Sequence, residues 1–79
     1  MASSMKDLVE FIAKSLVDDP TQVHVSEIEG ERSVTLELRV GPEDMGRVIG
    51  KDGRTANAMR RLVRVLAAKE GKRANLEIV

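Results

Sequence analysis

The chain is predicted to adopt an α+β fold, with elements in the order α-β-β-α-α-β and helices packed on one face of a three-stranded sheet. Three observations predict it. Val34, Leu36, Leu38 and Val40 alternate with Thr35, Glu37 and Arg39, the period-two pattern of a strand with one buried and one solvated face. Apolar residues recur at helical spacing in two other segments, one near the N-terminus and one running from Arg54 to about residue 70. Two glycines three apart, Gly50 and Gly53, separate that long segment from a short apolar-faced one carrying Met45, Val48 and Ile49.

Taken in order, Ser3 or Ser4 can cap a first helix, and Ser4 with Asp7 makes a weak capping-box pattern. Met5, Leu8, Val9, Ile12 and Leu16 then share a helical stripe, with Phe11 at its margin, either core edge or partner surface. Pro20 ends the helix, because a residue preceding proline is pushed out of the helical region. A first strand follows over about residues 23–28. Val23 and Val25 share one parity and Ile28 the other, so a bulge or an early exit is expected there. Gly30 lies in a turn before the alternating strand. Gly41 and Pro42 then start a short helix, with Glu43 and Asp44 near its positive end. Beyond Gly53 the long helix is expected to bury Ala56, Met59, Leu62, Val63 and Leu66 and to close on Gly71. Ala74, Leu76 and Ile78 form a last strand.

Seventy-nine residues correspond to one domain with a modest core, for which association with a partner is a natural supplement. The absence of cysteine excludes disulfide and thiolate chemistry and fits a reducing compartment. The N-terminal stretch leads into an amphipathic segment instead of a signal-peptide core, and no apolar run nears the roughly 20 residues that span a bilayer. The expected location is cytoplasmic, without membrane association. The net charge is zero but sharply divided: residues 46–73 hold nine basic and two acidic side chains, residues 1–45 four basic and ten acidic. Such a sided field steers a polyanion to one face.

The basic half surrounds Val48-Ile49-Gly50-Lys51-Asp52-Gly53-Arg54. A glycine corner at the start of a helix exposes orphan amides and the positive end of the helix dipole, which together suit a phosphate. Glycine permits positive φ and close approach of a sugar-phosphate backbone. Lys51 and Arg54 add mobile charge beside these fixed donors, and Arg47 lies just upstream. Asp52 opposes phosphate by like charge, but its basic neighbours should dominate. Arg60, Arg61 and Arg64 fit, at least in part, an ordinary solvated helix face.

With its flanking Val-Ile and Arg-Thr, this loop resembles that of a K-homology (KH) domain, whose Gly-X-X-Gly loop clamps about four backbone nucleotides. In length and over residues 46–55 the chain is similar to the small bacterial KhpA proteins (YlqC-like). The resemblance extends to the element order, which is that of the prokaryotic (type II) KH fold over residues 1–79. It implies a non-catalytic RNA-binding protein, an RNA chaperone or regulator, holding single-stranded RNA through Arg47, Val48, Ile49, Gly50, Lys51, Asp52, Gly53 and Arg54. It further implies homodimers, or heterodimers with a KhpB (Jag-type) RNA-binding partner, and a link to cell elongation and division. Of Val48 and Ile49, one should anchor the core and the other sit nearer the bases; the sequence leaves open which.

No cofactor or metal is expected. His24 is the sole histidine and has no cysteine beside it, so a structural or solvent-facing role is expected. Asp18-Asp19 and Glu43-Asp44 read as helix-end capping groups, not as acid–base pairs, and no nucleophile accompanies them. The chain has one Phe and no Tyr or Trp, so RNA readout by aromatic stacking on a sheet lacks its platforms. The alternative from a different class is a dimerisation adaptor with little RNA binding of its own, suggested by the zero net charge and acidic N-terminal half. Steep loss of RNA affinity with salt separates the first reading from the second.

Overall fold

The computed structural model describes residues 4–79. Helix α1 spans Ser4–Leu16 and strands β1 and β2 span His24–Glu29 and Ser33–Arg39. Helix α2 spans Met45–Ile49, helix α3 Arg54–Lys69 and strand β3 Arg73–Ile78. Short 3₁₀ turns at Pro20–Gln22, Pro42–Asp44 and Lys51–Gly53 join these elements, and the first of them had no counterpart in the expected order. Ser4 is already helical, and Ser3 lies outside the described residues.

The sheet order is β1-β2-β3, with β2 central. β1 pairs antiparallel with β2 through the short turn at residues 30–32, while β3 pairs parallel to β2. A parallel neighbour needs a long crossover, and the α2–α3 pair supplies it. Both helices of the candidate site are therefore fixed to one face of the sheet by topology.

The core is a single cluster between that face and the helices. Leu36 and Leu38 of β2 are fully buried, with Val9 and Ala13 of α1, Val48 of α2, and Met59, Val63 and Ala67 of α3 around them. Burying a leucine-sized side chain contributes about 2 kcal/mol, so the central strand is the energetic spine.

Three sequence expectations need correction. No bulge interrupts β1: its register runs unbroken from the His24–Arg39 pair to the Glu29–Val34 pair. Ile28 has the wrong parity because it stands on the uncovered face of the sheet opposite Thr35, 58% exposed. Leu62 and Leu16 are exposed, while Ala67 and Ala13 take the fully buried positions. The buried faces of the two helices are Met5, Val9 and Ala13 on α1 and Ala56, Met59, Val63 and Ala67 on α3, and the two leucines fall on the flanks. Lastly, Asp44 does not cap α2; its carboxylate is used elsewhere, as described below. Phe11 is 71% exposed and is not part of the core.

At the far end of α3, Gly71 has φ +71°. Its amide donates to the Ala68 carbonyl and that of Lys72 to the Ala67 carbonyl, at 3.0 and 2.9 Å. This paired arrangement is a Schellman cap, and it turns the chain straight into β3.

Candidate nucleic-acid interface

The site begins with a clamp. The buried Asp44 carboxylate accepts the backbone N–H of Asp18 at Oδ1 (3.1 Å) and of Asp19 at Oδ2 (3.2 Å). It thereby ties the chain leaving α1 to the start of α2. Arg47 closes the same cluster, with Nε 3.5 Å from Asp44 Oδ1 and Nη2 donating to Asp18 Oδ2 at 3.0 Å. Asp19 caps the 3₁₀ turn that follows α1, accepting from the Thr21 amide and the Gln22 side chain. Hydrogen bonds hold its carboxyl below the usual carboxylate range, that of the Gln22 side chain contributing most and that of the Thr21 hydroxyl next.

Helix α2 ends when the Gly50 amide donates to the Gly46 carbonyl (2.9 Å). Gly50 then takes φ 77°, ψ 174°, a region open essentially to glycine alone. A Cβ there would strike the Thr55 hydroxyl and lie 2.8 Å from Thr55 Cβ. The chain can reverse only because nothing projects from Gly50. A single turn follows, in which Asp52 (φ 56°, ψ 25°) and Gly53 (φ 75°, ψ 13°) are both left-handed. Aspartate is among the few residues that tolerate this conformation, which gives the acid in the loop a backbone reason to be there.

The amides of Gly53 and Arg54 are consumed inside the turn by the carbonyls of Gly50 and Lys51. Among the described residues, those of Lys51 and Asp52 meet no protein acceptor. The donor set is thus narrower than the sequence suggested: the tip of the loop, plus the start of α3, whose N-terminus carries no side-chain cap and no acidic residue in its first turn. Lys51 and Arg54 stand exposed on either side of that tip.

The structure also divides the apolar pair. Val48 is fully buried and Ile49 is 37% exposed, so Val48 anchors α2 in the core and Ile49 is left at the surface beside the loop. Of the predicted residues, 48–54 form one contiguous corner. Arg47 is the exception, turned toward Asp18 and Asp44 at the base of α2.

Along the next turns of α3, Arg60 Nε donates to the Leu76 carbonyl of β3 (3.2 Å) and Arg60 Nη1 to Asn57 Oδ1 (3.1 Å). β3 is an edge strand, and Arg60 covers one of its free carbonyls, bracing α3 against the sheet. His24 is exposed, and no cluster of three or more metal-ligating side chains occurs among the described residues.

Sequence reasoning missed Asp44 and Thr55. Asp44 bonds residues 25 and 26 positions away, so no local pattern reveals it. Thr55 carried a signal: it lies just past a glycine that must reverse the chain, where crowding is expected.

The residues 6–78 match the family model described as KhpA/KhpB, KH domain. The RNA-binding protein KhpA of Clostridium perfringens is 60% identical over 75 residues, covering 95% of this chain and all of that one. The RNA-binding protein KhpA of Aquifex aeolicus is 52% identical over 77 residues, 98% of each chain. Among solved structures, Aquifex aeolicus Era superposes with a TM-score of 0.66 at 21% identity. That likeness covers 94% of this chain and 29% of Era, and it shows the fold alone.

Proposed function

The chain belongs to the KhpA/KhpB KH-domain family, and from that premise we propose that it is a non-catalytic RNA-binding protein gripping the backbone of single-stranded RNA at the corner between α2 and α3. The observation that carries the reading is the conformation of Gly50, which packs against Thr55 at a positive φ that only glycine adopts readily and so forms the corner between α2 and α3. One phosphate sits at the Lys51 and Asp52 amides and the next at the uncapped start of α3, with Lys51 and Arg54 adding charge-assisted contacts. Gly50 and Gly53 give the strand room to approach. Ile49 offers apolar surface to a base or ribose, Val48 fixes the helix beneath it, and Asp52 trades some electrostatic repulsion for its left-handed backbone. Arg47 contributes long-range attraction more than contact, since Asp18 and Asp44 already hold it.

Residues 1–79 serve as one KH domain acting in the cytoplasm. One shallow groove binds RNA weakly, and pairing two grooves on one strand raises affinity through effective concentration. A homodimer, or a heterodimer with a KhpB (Jag-type) RNA-binding protein, meets that need. The exposed Phe11 is consistent with association. A role in cell elongation and division with such a partner completes the proposal.

Crosslinking to RNA, wild type beside Lys51→Asp, tests the loop. The variant is expected to keep its fold and lose RNA retention. Undiminished crosslinking removes the loop from the mechanism.

A further inference from the structure

The two edges of the sheet are not alike. At β3 the Arg60 guanidinium covers the Leu76 carbonyl. At β1 nothing comparable occurs among the described residues. The Gly30 amide donates to the Ser33 carbonyl (2.7 Å), and pairs of an antiparallel ladder alternate, so Ile28, Ser26 and His24 also turn their N–H and C=O groups toward β2. The other side of β2 agrees, since the carbonyls of Arg32 and Leu38 accept from Arg73 and Val79. The N–H and C=O groups of Val25, Glu27 and Glu29 therefore point outward, at intervals of about 6.8 Å, and no described group bonds them.

Exposed edges are commonly blunted by a lysine, a proline or a bulge. β1 has none of the three, and its pairing with β2 is regular throughout. It carries acid instead. Residues 24–31 hold three glutamates and no lysine or arginine. Glu29 is held by Lys72, whereas Glu27 and Glu31 form no ion pair among the described residues. These charges choose the occupant. In an antiparallel second copy, every register that pairs the middle of the strand sets Glu27 and Glu29 opposite or diagonal to the same acids, which is destabilising. Single-stranded RNA is repelled by the same carboxylates. A basic strand places a cation across from each glutamate. Between the two glutamates Ile28, 58% exposed on the uncovered face, offers the intervening residue an apolar contact.

The geometry points to β1 as a strand-addition site for a partner protein: an extended segment alternating basic and apolar residues, lying antiparallel to β1 and bonded to Val25, Glu27 and Glu29. The main-chain bonds supply affinity and the Glu27–Ile28–Glu29 alternation supplies selectivity. The corner between α2 and α3 contains none of these groups, so the proposal goes beyond the loop reading and stands without it.

The test uses a peptide of about ten residues alternating lysine and valine, made in two isomers. One is N-methylated at every valine and the other at every lysine, so each keeps a single edge able to bond and cannot stack on itself. In antiparallel pairing the residues opposite Glu27 and Glu29 turn their own amides toward β1, and these are the lysines. The valine-methylated isomer is therefore expected to bind, and the lysine-methylated isomer, equal in charge and composition, is not. Amide hydrogen exchange read by NMR should slow at Val25, Glu27 and Glu29, while His24, Ser26 and Ile28, already bonded to β2, stay as they were. Glu27→Lys should weaken binding about tenfold and leave RNA crosslinking at the wild-type level. Equal binding of both isomers reduces the effect to unspecific charge attraction and overturns the proposal. Binding of neither isomer, preference for the lysine-methylated one, or exchange slowed only at other residues overturns it as well.

Discussion

Gly50 is pressed against Thr55 so closely that a methyl group on the glycine would lie 2.8 Å from the threonine Cβ and nearer still to its hydroxyl. Gly53 is different: its φ is positive, but the nearest atom to an added Cβ is Asn57 Nδ2 at 3.7 Å. The two glycines of the motif therefore have unequal reasons to be glycine. Gly50→Ala is expected to destabilise the protein by about 2 kcal/mol or more, combining forbidden backbone and steric overlap. Gly53→Asn keeps a residue tolerated in the left-handed region and is expected to cost less than about 1 kcal/mol. Chemical denaturation of both variants checks the order, and equal losses would refute it.

Asp44 accounts for two backbone donors that would otherwise be unpaired where α1 meets the next turn. Asp44→Ala strands both and frees Arg47 of its inner partner, so a loss of about 2 kcal/mol is expected. Asp18→Asn removes only an exposed ion pair and should change stability by less than about 1 kcal/mol. Urea midpoints of the two variants distinguish a clamp from a surface charge pair.

Val48 and Ile49 are neighbours with opposite fates. Val48→Ala should cost about 2 kcal/mol of stability through lost burial and a residual cavity. Ile49→Ala should leave the melting temperature nearly unchanged and weaken RNA binding at constant salt slope, because the contact it removes is apolar. A slope change in Ile49→Ala would contradict this assignment.

Two carboxylates give stability an acid limit. Glu10 is held below the usual range chiefly by its hydrogen bond from Lys14 and then by that charge, and Asp19 chiefly by the Gln22 and Thr21 hydrogen bonds. A depressed folded-state pKa means the contribution is complete above the unfolded value, near 4, and is lost as pH falls through the folded value. Melting temperature should therefore decline below about pH 4, and less steeply in Glu10→Gln/Asp19→Asn. Lys72 has the opposite sign: its hydrogen bond to Glu29 raises its pKa, so that contribution fades only at strongly alkaline pH.

The legible parts of this protein were those governed by short-range rules. The alternation of Val34, Leu36 and Leu38, the glycine at the end of α3 and the corner at residues 50–53 all follow from local periodicity or backbone permission. Misreadings arose where distant elements decide. Leu62 stands at the margin of the apolar stripe and Ala67 nearer its centre, and whether a marginal leucine is covered depends on how α3 is rotated against the sheet, which no local pattern states. Ile28 breaks the alternation of β1 without breaking the strand, because no helix covers the sheet's other face.

The amino-acid sequence by itself determined the element order and the glycine corner, which are written in residues at most a few positions apart, and the separation of charge, which is composition along the chain. The tertiary structure alone decided that β2 is central with β3 parallel to it, that Val48 goes inward and Ile49 outward, and that Asp44 clamps the end of α1. Those outcomes depend on contacts between residues separated by tens of positions, where burial and donor satisfaction over the whole fold select among arrangements that local preference leaves equal.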